Sequence, residues 1–217
     1  MPTAEVGRPP DRPPGHERRA PGFEMTGELV LHRGRVITLT RATFTDPGGR
    51  PFERDVVRHP GAVAVVAVTD ADGVVLVHQY RPALDQWLLE VPAGTCDITD
   101  EPGEATARRE LAEEAGYAAR ELHLLTRCAI TPGFCDELSS VYLATGLSPV
   151  PVDRQGIEEH HMRIETVPLS GFDALVDDGT VIDATTILGV GLARRHLAAD
   201  QPTDDRPAGR EPTTSRP

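Results

Sequence analysis

Three glutamates, Glu110, Glu113 and Glu114, fall inside a run of good helix formers, Glu104-Ala105-Thr106-Ala107-Arg108-Arg109-Glu110-Leu111-Ala112-Glu113-Glu114-Ala115. On a helix they stand at i, i+3 and i+4, so three carboxylates share one face, and like charges at that spacing repel. A divalent cation would remove the repulsion, and hard oxygen ligands select magnesium or manganese over softer metals. The same residues also read as a solvated, charge-rich helix in which Arg109 and Glu113 form a surface pair. Context favours the first reading. Leu89-Glu90-Val91-Pro92-Ala93-Gly94 reads as a strand ending in a Pro/Gly loop, Glu101 follows, and then the helix begins. A loop carbonyl and several helical carboxylates can therefore converge on one metal cluster.

Such groups need elements to hold them. Gly116 is a natural left-handed stop, so a helix is predicted over Gly103–Ala115. Ala62–Val68 is an almost continuous apolar run closed by Asp70, Asp72 and Gly73, the pattern of a strand buried on both faces, and Val74–Tyr80 follows it. Trp87–Val91 predicts a strand stopped by Pro92; Leu122–Ala129, Ser139–Thr145 and Met162–Val167 predict three more. Upstream, Leu29–Leu31, Val36–Thr40 and Glu53–Val57 read as short strands around a Pro47-Gly48-Gly49 turn. Helices also fit Gly171–Val176 and Ala184–His196. Strand-helix-strand repeats are too few for a doubly wound sheet, so the pattern points to an α/β sandwich.

The chain has 217 residues and a formal net charge of −12, which argues against a nucleic-acid partner, because duplex binding needs a cationic face. All 22 basic residues are arginines. A chain without lysine cannot form a Schiff base, complete a Walker A loop or supply the ATP-pairing lysine of a protein kinase. Cys96, Cys128 and Cys135 lack C-x-x-C spacing and read as reduced thiols or small core residues. No stretch approaches the roughly 18 apolar residues of a membrane span, and the Pro- and Arg-rich start lacks the apolar run of a signal peptide, so a cytoplasmic protein is expected. Residues 1–25 and 200–217 are proline-rich without apolar periodicity and are expected to be disordered, leaving 26–60 as an N-terminal sheet and 61–199 as the main domain.

The stretch from Gly94 to Tyr117 resembles the Nudix box, G-x5-E-x7-R-E-U-x-E-E-x-G-U with U apolar. Glu101, Arg109-Glu110, Leu111, Glu113-Glu114, Gly116 and, more loosely, Tyr117 fit it. Gly94 lies seven residues before Glu101 where the pattern has six, so the loop carries one extra residue while the helix register is kept. The resemblance implies a Nudix-type α/β/α sandwich with a mixed sheet, plus a small N-terminal antiparallel sheet. It also implies magnesium, or manganese, held by Glu110, Glu113 and Glu114 with the Ala93 carbonyl, while Arg109 and Glu101 steady the cluster. The implied substrate is a nucleoside diphosphate linked to another moiety.

Pro132 lies fifteen residues beyond Tyr117, a spacing similar to the mark of the ADP-ribose pyrophosphatase branch, and Gln79-Tyr80-Arg81 and Trp87-Leu88-Leu89-Glu90 also look like that branch. By this resemblance Arg81 contacts the diphosphate, Arg54 the adenosine end, Phe134 the ribose or adenine, and Glu137 the terminal ribose. Each has a structural alternative: Arg81 a strand-end cap, Arg54 an edge-strand charge, Phe134 a core aromatic, Glu137 a turn cap. The loop from Pro149 to His161 is long enough to fold over a site. Resemblance places a general base there, with Glu159 favoured over Glu158. The implied activity is magnesium-dependent hydrolysis of ADP-ribose to AMP and ribose 5-phosphate, by a homodimer that exchanges its N-terminal sheet. Hydrolysis of another nucleoside diphosphate derivative, such as a nucleotide sugar or dinucleotide coenzyme, and a non-catalytic Nudix-like sensor are the alternatives.

Overall fold

The computed structural model of the chain describes residues 22–154 and 156–199. Most of the two ends expected to be disordered lies outside the described residues, but Glu24 and Met25 already belong to the first strand.

Strands β1 (Glu24–Arg33), β2 (Thr38–Thr45) and β3 (Pro51–Arg58) form an antiparallel sheet in that order. Strands β1 and β3 extend beyond their predicted spans because polar flanks are held by cross-strand pairing, which no local pattern reveals, whereas β2 is shifted from the predicted Val36–Thr40: Gly34 N–H donates to Ile37 O at 2.8 Å in a turn that takes up Val36 and Ile37. The chain continues through β4 (Ala62–Val68), β5 (Gly73–Arg81), β6 (Gln86–Glu90) and β7 (Ala93–Thr95) to helix α1 (Gly103–Ala115). Then follow β8 (Tyr117–Ala129), β9 (Leu138–Pro149), β10 (Arg163–Pro168), α2 (Phe172–Asp177) and α3 (Ala184–Ala199).

The second sheet runs β10-β5-β4-β9-β8, with β6 paired to β5 and β7 to β4. It is mixed: β4 and β9 are parallel, and the other pairs are antiparallel. Strand β4 explains its own composition. Val63, Val65 and Ala67 pack with Ala107, Leu111 and Ala115 of α1, while Ala64, Val66 and Val68 pack with Phe172, Val190 and Ala193 of α2 and α3. Both faces are covered by helix, so alternation disappears and the architecture is an α/β/α sandwich. Helix α3 comes so close to the sheet that a Cβ on Gly189 would lie 2.9 Å from Val66 Cγ2.

Two strands depart from the expectations. Strand β7 lies in what reads as a Pro/Gly loop; its pairing of Ala93 with Ala64 and Gly94 with Val63 is a tertiary event with no local propensity behind it. Strand β8 begins at Tyr117, not near Leu122, because it is an edge strand whose first half is largely exposed and so carries no alternation. After β9 the chain leaves the sheet and makes a 3-10 turn at Glu159–His161 before β10. Among the described residues no helix is long and apolar enough to cross a membrane.

Candidate active site

Helix α1 buries Thr106, Ala107, Glu110, Leu111, Glu114 and Ala115, a stripe at helical spacing that faces the sheet. Two of the glutamates thus lie on the buried stripe, and their chemistry follows from that position. Gly116 ends the helix with φ of 69°, its N–H capping the carbonyls of Ala112 and Leu111.

The floor of the site is the β7 backbone. Ala93 N–H donates to Glu114 Oε2 at 2.9 Å. One residue on, the Glu110 carboxylate rests against Gly94 so closely that a Cβ there would lie 2.1 Å from Glu110 Cδ. The loop beyond β7 turns at 98–101, where Asp100 takes the left-handed φ of 63° and Glu101 N–H donates to Ile98 O at 3.2 Å.

Arg109 is the charge hub. Its Nη1 donates to Glu110 Oε1 at 2.6 Å and to Glu113 Oε2 at 3.2 Å, while Nε and Nη2 reach the two oxygens of Glu101 at 3.3 and 3.1 Å. Thr106 Oγ1 also donates to Glu101 Oε2, at 2.8 Å, and with Arg109 holds that carboxyl below the usual range. The solvated-helix alternative, with its Arg109–Glu113 surface pair, leaves this hub and the burial of Glu110 and Glu114 unexplained.

Burial raises the Glu110 carboxyl to about 7 and the Glu114 carboxyl to about 8. Arg109 opposes the first shift and the Ala93 N–H the second, while the charge of Glu159 adds to both. Shifts of this size correspond to roughly 3 to 5 kcal/mol each against ionisation. Among the described residues no three side chains already converge as a metal cage, since Glu110 is turned to Arg109 and Glu114 to the Ala93 N–H. The donor set nevertheless suits a hard divalent cation: two nearly dry carboxylates, reinforced by a third acidic neighbour, gain by ionising only when positive charge arrives.

Glu159, half-buried in the 3-10 turn, is close enough to influence Glu110 and Glu114, whereas Glu158 is exposed just before it. Arg81 ends β5 beside this cluster and is itself clamped: its Nε donates to Glu90 Oε1 at 2.9 Å and its Nη2 to Oε2. Glu90 is only 3% exposed and was not among the site residues expected from sequence. Its signal was present, a carboxylate inside the apolar strand Trp87-Leu88-Leu89-Glu90-Val91 that must find a cation. The neighbouring Val91 N–H donates to Thr186 Oγ1 at 3.0 Å, tying this strand to the start of α3.

The remaining expected residues make their contacts away from the carboxylates. Arg54 lies in the three-stranded sheet, its guanidinium 4.9 Å from the Phe52 ring and its Nη1 donating to Glu53 O at 2.7 Å. Phe134 is exposed, and its carbonyl accepts from Val57 N–H at 2.7 Å, which joins the β8–β9 turn to the end of β3. Burial pushes the Cys128 and Cys135 thiols up; the charge of nearby Glu137 adds to the first shift, whereas at Cys135 a hydrogen bond from the Glu137 backbone opposes the rise. At Ala93 the N–H engages Glu114.

A family model described as NUDIX domain matches residues 58–182. An ADP-ribose pyrophosphatase of Bacillus subtilis (strain 168) is 40% identical over 160 residues, covering 74% of this chain and 86% of its own. An ADP-ribose pyrophosphatase of Mycobacterium tuberculosis is 39% identical over 168 residues, covering 77% and 81% respectively. A crystal structure of an ADP compounds hydrolase superposes with a TM-score of 0.72 at 23% identity, over 82% of this chain and 95% of that one, a likeness of fold.

Proposed function

The chain belongs to the NUDIX domain family and is a hydrolase, and we propose that it cleaves the diphosphate of ADP-ribose to AMP and ribose 5-phosphate with magnesium as its cofactor. The observation that carries this reading is the pair of buried carboxylates, Glu110 and Glu114, held against the Ala93–Gly94 backbone with Glu159 beside them.

Glu110, Glu113, Glu114 and the Ala93 carbonyl would hold the metal, which when bound supplies Lewis acidity and neutralises charge on a diphosphate. Arg109 and Glu101 keep the carboxylates oriented through the guanidinium fork. Arg81, braced by Glu90 yet 40% exposed along its side chain, offers the rest of its planar fork to a phosphate. Glu159 takes the proton of the attacking water as the water oxygen bonds to one phosphorus and the bridging P–O bond breaks. Arg54 and Phe134 serve the adenosine end and Glu137 the terminal ribose. A homodimer built through the N-terminal sheet would bring these groups to the substrate. It is supported by Met25 and Leu29, 49% and 62% exposed on the edge strand β1. The net charge of −12 suits a small-molecule substrate reached through cations and local arginines better than a nucleic acid, and a cytoplasmic setting fits the reading.

Incubation with ADP-ribose, with and without magnesium, tests the reading. AMP and ribose 5-phosphate are expected only with the metal. Inertness toward ADP-ribose alongside cleavage of a nucleotide sugar or dinucleotide coenzyme would reassign the substrate.

A further inference from the structure

Arg154 lies between β9 and β10 and joins parts of the chain that are distant in sequence. Its Nη1 donates to Met162 O at 2.8 Å, just after the Glu159–His161 turn, and its Nη2 to Glu114 O at 3.4 Å, in the last turn of α1. The position suits a cation, because the carbonyls at a helix C-terminus carry partial negative charge. It also has a cost: Arg154 Nε is buried and makes no hydrogen bond among the described residues. An unsatisfied buried donor costs stability, and the two bonds that the same guanidinium makes offset that cost. Within the turn the N–H groups of His160, His161 and Met162 donate to the Gly156, Glu158 and Glu159 carbonyls at 3.0 to 3.2 Å and His160 Nδ1 pairs with Gly156 O, all local bonds, whereas Arg154 ties the end of the turn to the carboxylate helix.

We propose that Arg154 is a positioning residue that clasps the Glu159 turn to the end of the carboxylate helix, fixing Glu159 over Glu110 and Glu114. The inference rests on the reading of Glu159 as general base. Arg154 touches no reacting atom and acts only through Glu159.

A double-mutant cycle on the full chain, with hydrogen exchange, tests it. Arg154→Met should lower kcat roughly 10- to 100-fold, within the range that a misplaced base forfeits, with KM nearly unchanged. In a Glu159→Gln background the same substitution should cost nothing further. Exchange at the His160, His161 and Met162 amides should speed up in Arg154→Met, manganese affinity should stay at the wild-type value, and Arg154→Lys should recover part of kcat. If Arg154→Met costs as much in the Glu159→Gln background as alone, or if the turn amides keep their protection, the clasp is refuted. Should Glu159→Gln by itself keep a normal kcat, the base assignment falls and the inference falls with it. If Arg154→Met does not fold, Arg154→Lys replaces it in the cycle, and the same two results refute the clasp.

Discussion

The carboxylate of Glu110 lies directly on the backbone of Gly94, and a single methyl group placed there would sit 2.1 Å from Glu110 Cδ and 2.3 Å from its Oε1. Backbone is fixed by the β7–β4 pairing, so the flexible glutamate must give way. Gly94→Ala should therefore leave the fold intact while displacing the carboxylate. Manganese affinity, measured by calorimetry, is expected to fall about 10-fold or more, in line with losses from disturbed ligand orientation. Unchanged affinity would show that Glu110 holds no metal in that pose.

Glu114→Gln abolishes the ability of a carboxyl only 2% exposed to ionise but keeps its shape and an acceptor for the Ala93 N–H. Turnover should drop by roughly 100-fold or more while the unfolding temperature stays level or rises, because a desolvated acid has been replaced by a neutral amide. Near-normal turnover at limiting magnesium would remove Glu114 from the metal site.

The metal-free protein should lose stability as pH rises. Glu110 and Glu114 have folded-state values of about 7 and about 8, above the ordinary 4.5, so between those limits the folded state binds more protons than the unfolded one. Stability supplied by the protonated forms is fully present below about 4.5 and is lost as pH passes through about 7 to 8. Urea unfolding after chelation, followed from pH 5 to pH 8.5, checks the sign. Magnesium should restore more stability at the alkaline end than at the acid end, since it binds the ionised form.

Glu90→Gln leaves Arg81 without its charge partner beside a closely packed strand. Since the Arg81 side chain is 40% exposed, the stability loss should be roughly 1 to 3 kcal/mol, below that of a fully buried pair. The KM for the diphosphate should rise because the guanidinium is no longer aimed. A loss of stability with no change in KM would make the pair purely structural.

The apolar edge of the first sheet predicts self-association. Sedimentation velocity should give a dimer for the native chain, and Leu29→Asp, which places charge on a residue 62% exposed in the isolated chain, should shift it toward monomer. A monomer at micromolar concentration in the native chain would refute the dimer.

Much of this protein is written in its linear order. The spacing of Glu110, Glu113 and Glu114 fixes them to adjacent helical turns, and the unbroken apolar run of β4 marks the centre of a sheet covered on both sides, because helical and strand periodicities are local. What only the tertiary structure decided is which of these charges are dry. Equal in sequence, the glutamates separate once α1 packs: Glu110 and Glu114 turn toward β7 and resist ionisation, while Glu113 stays partly exposed with Arg109. The pairing of Arg81 with Glu90, the strand hidden in Ala93–Thr95 and the reach of Arg154 from Met162 to Glu114 likewise join segments that are remote along the chain. Local preference fixes which atoms are available; desolvation and long-range pairing, properties of the packed molecule alone, set what those atoms can do.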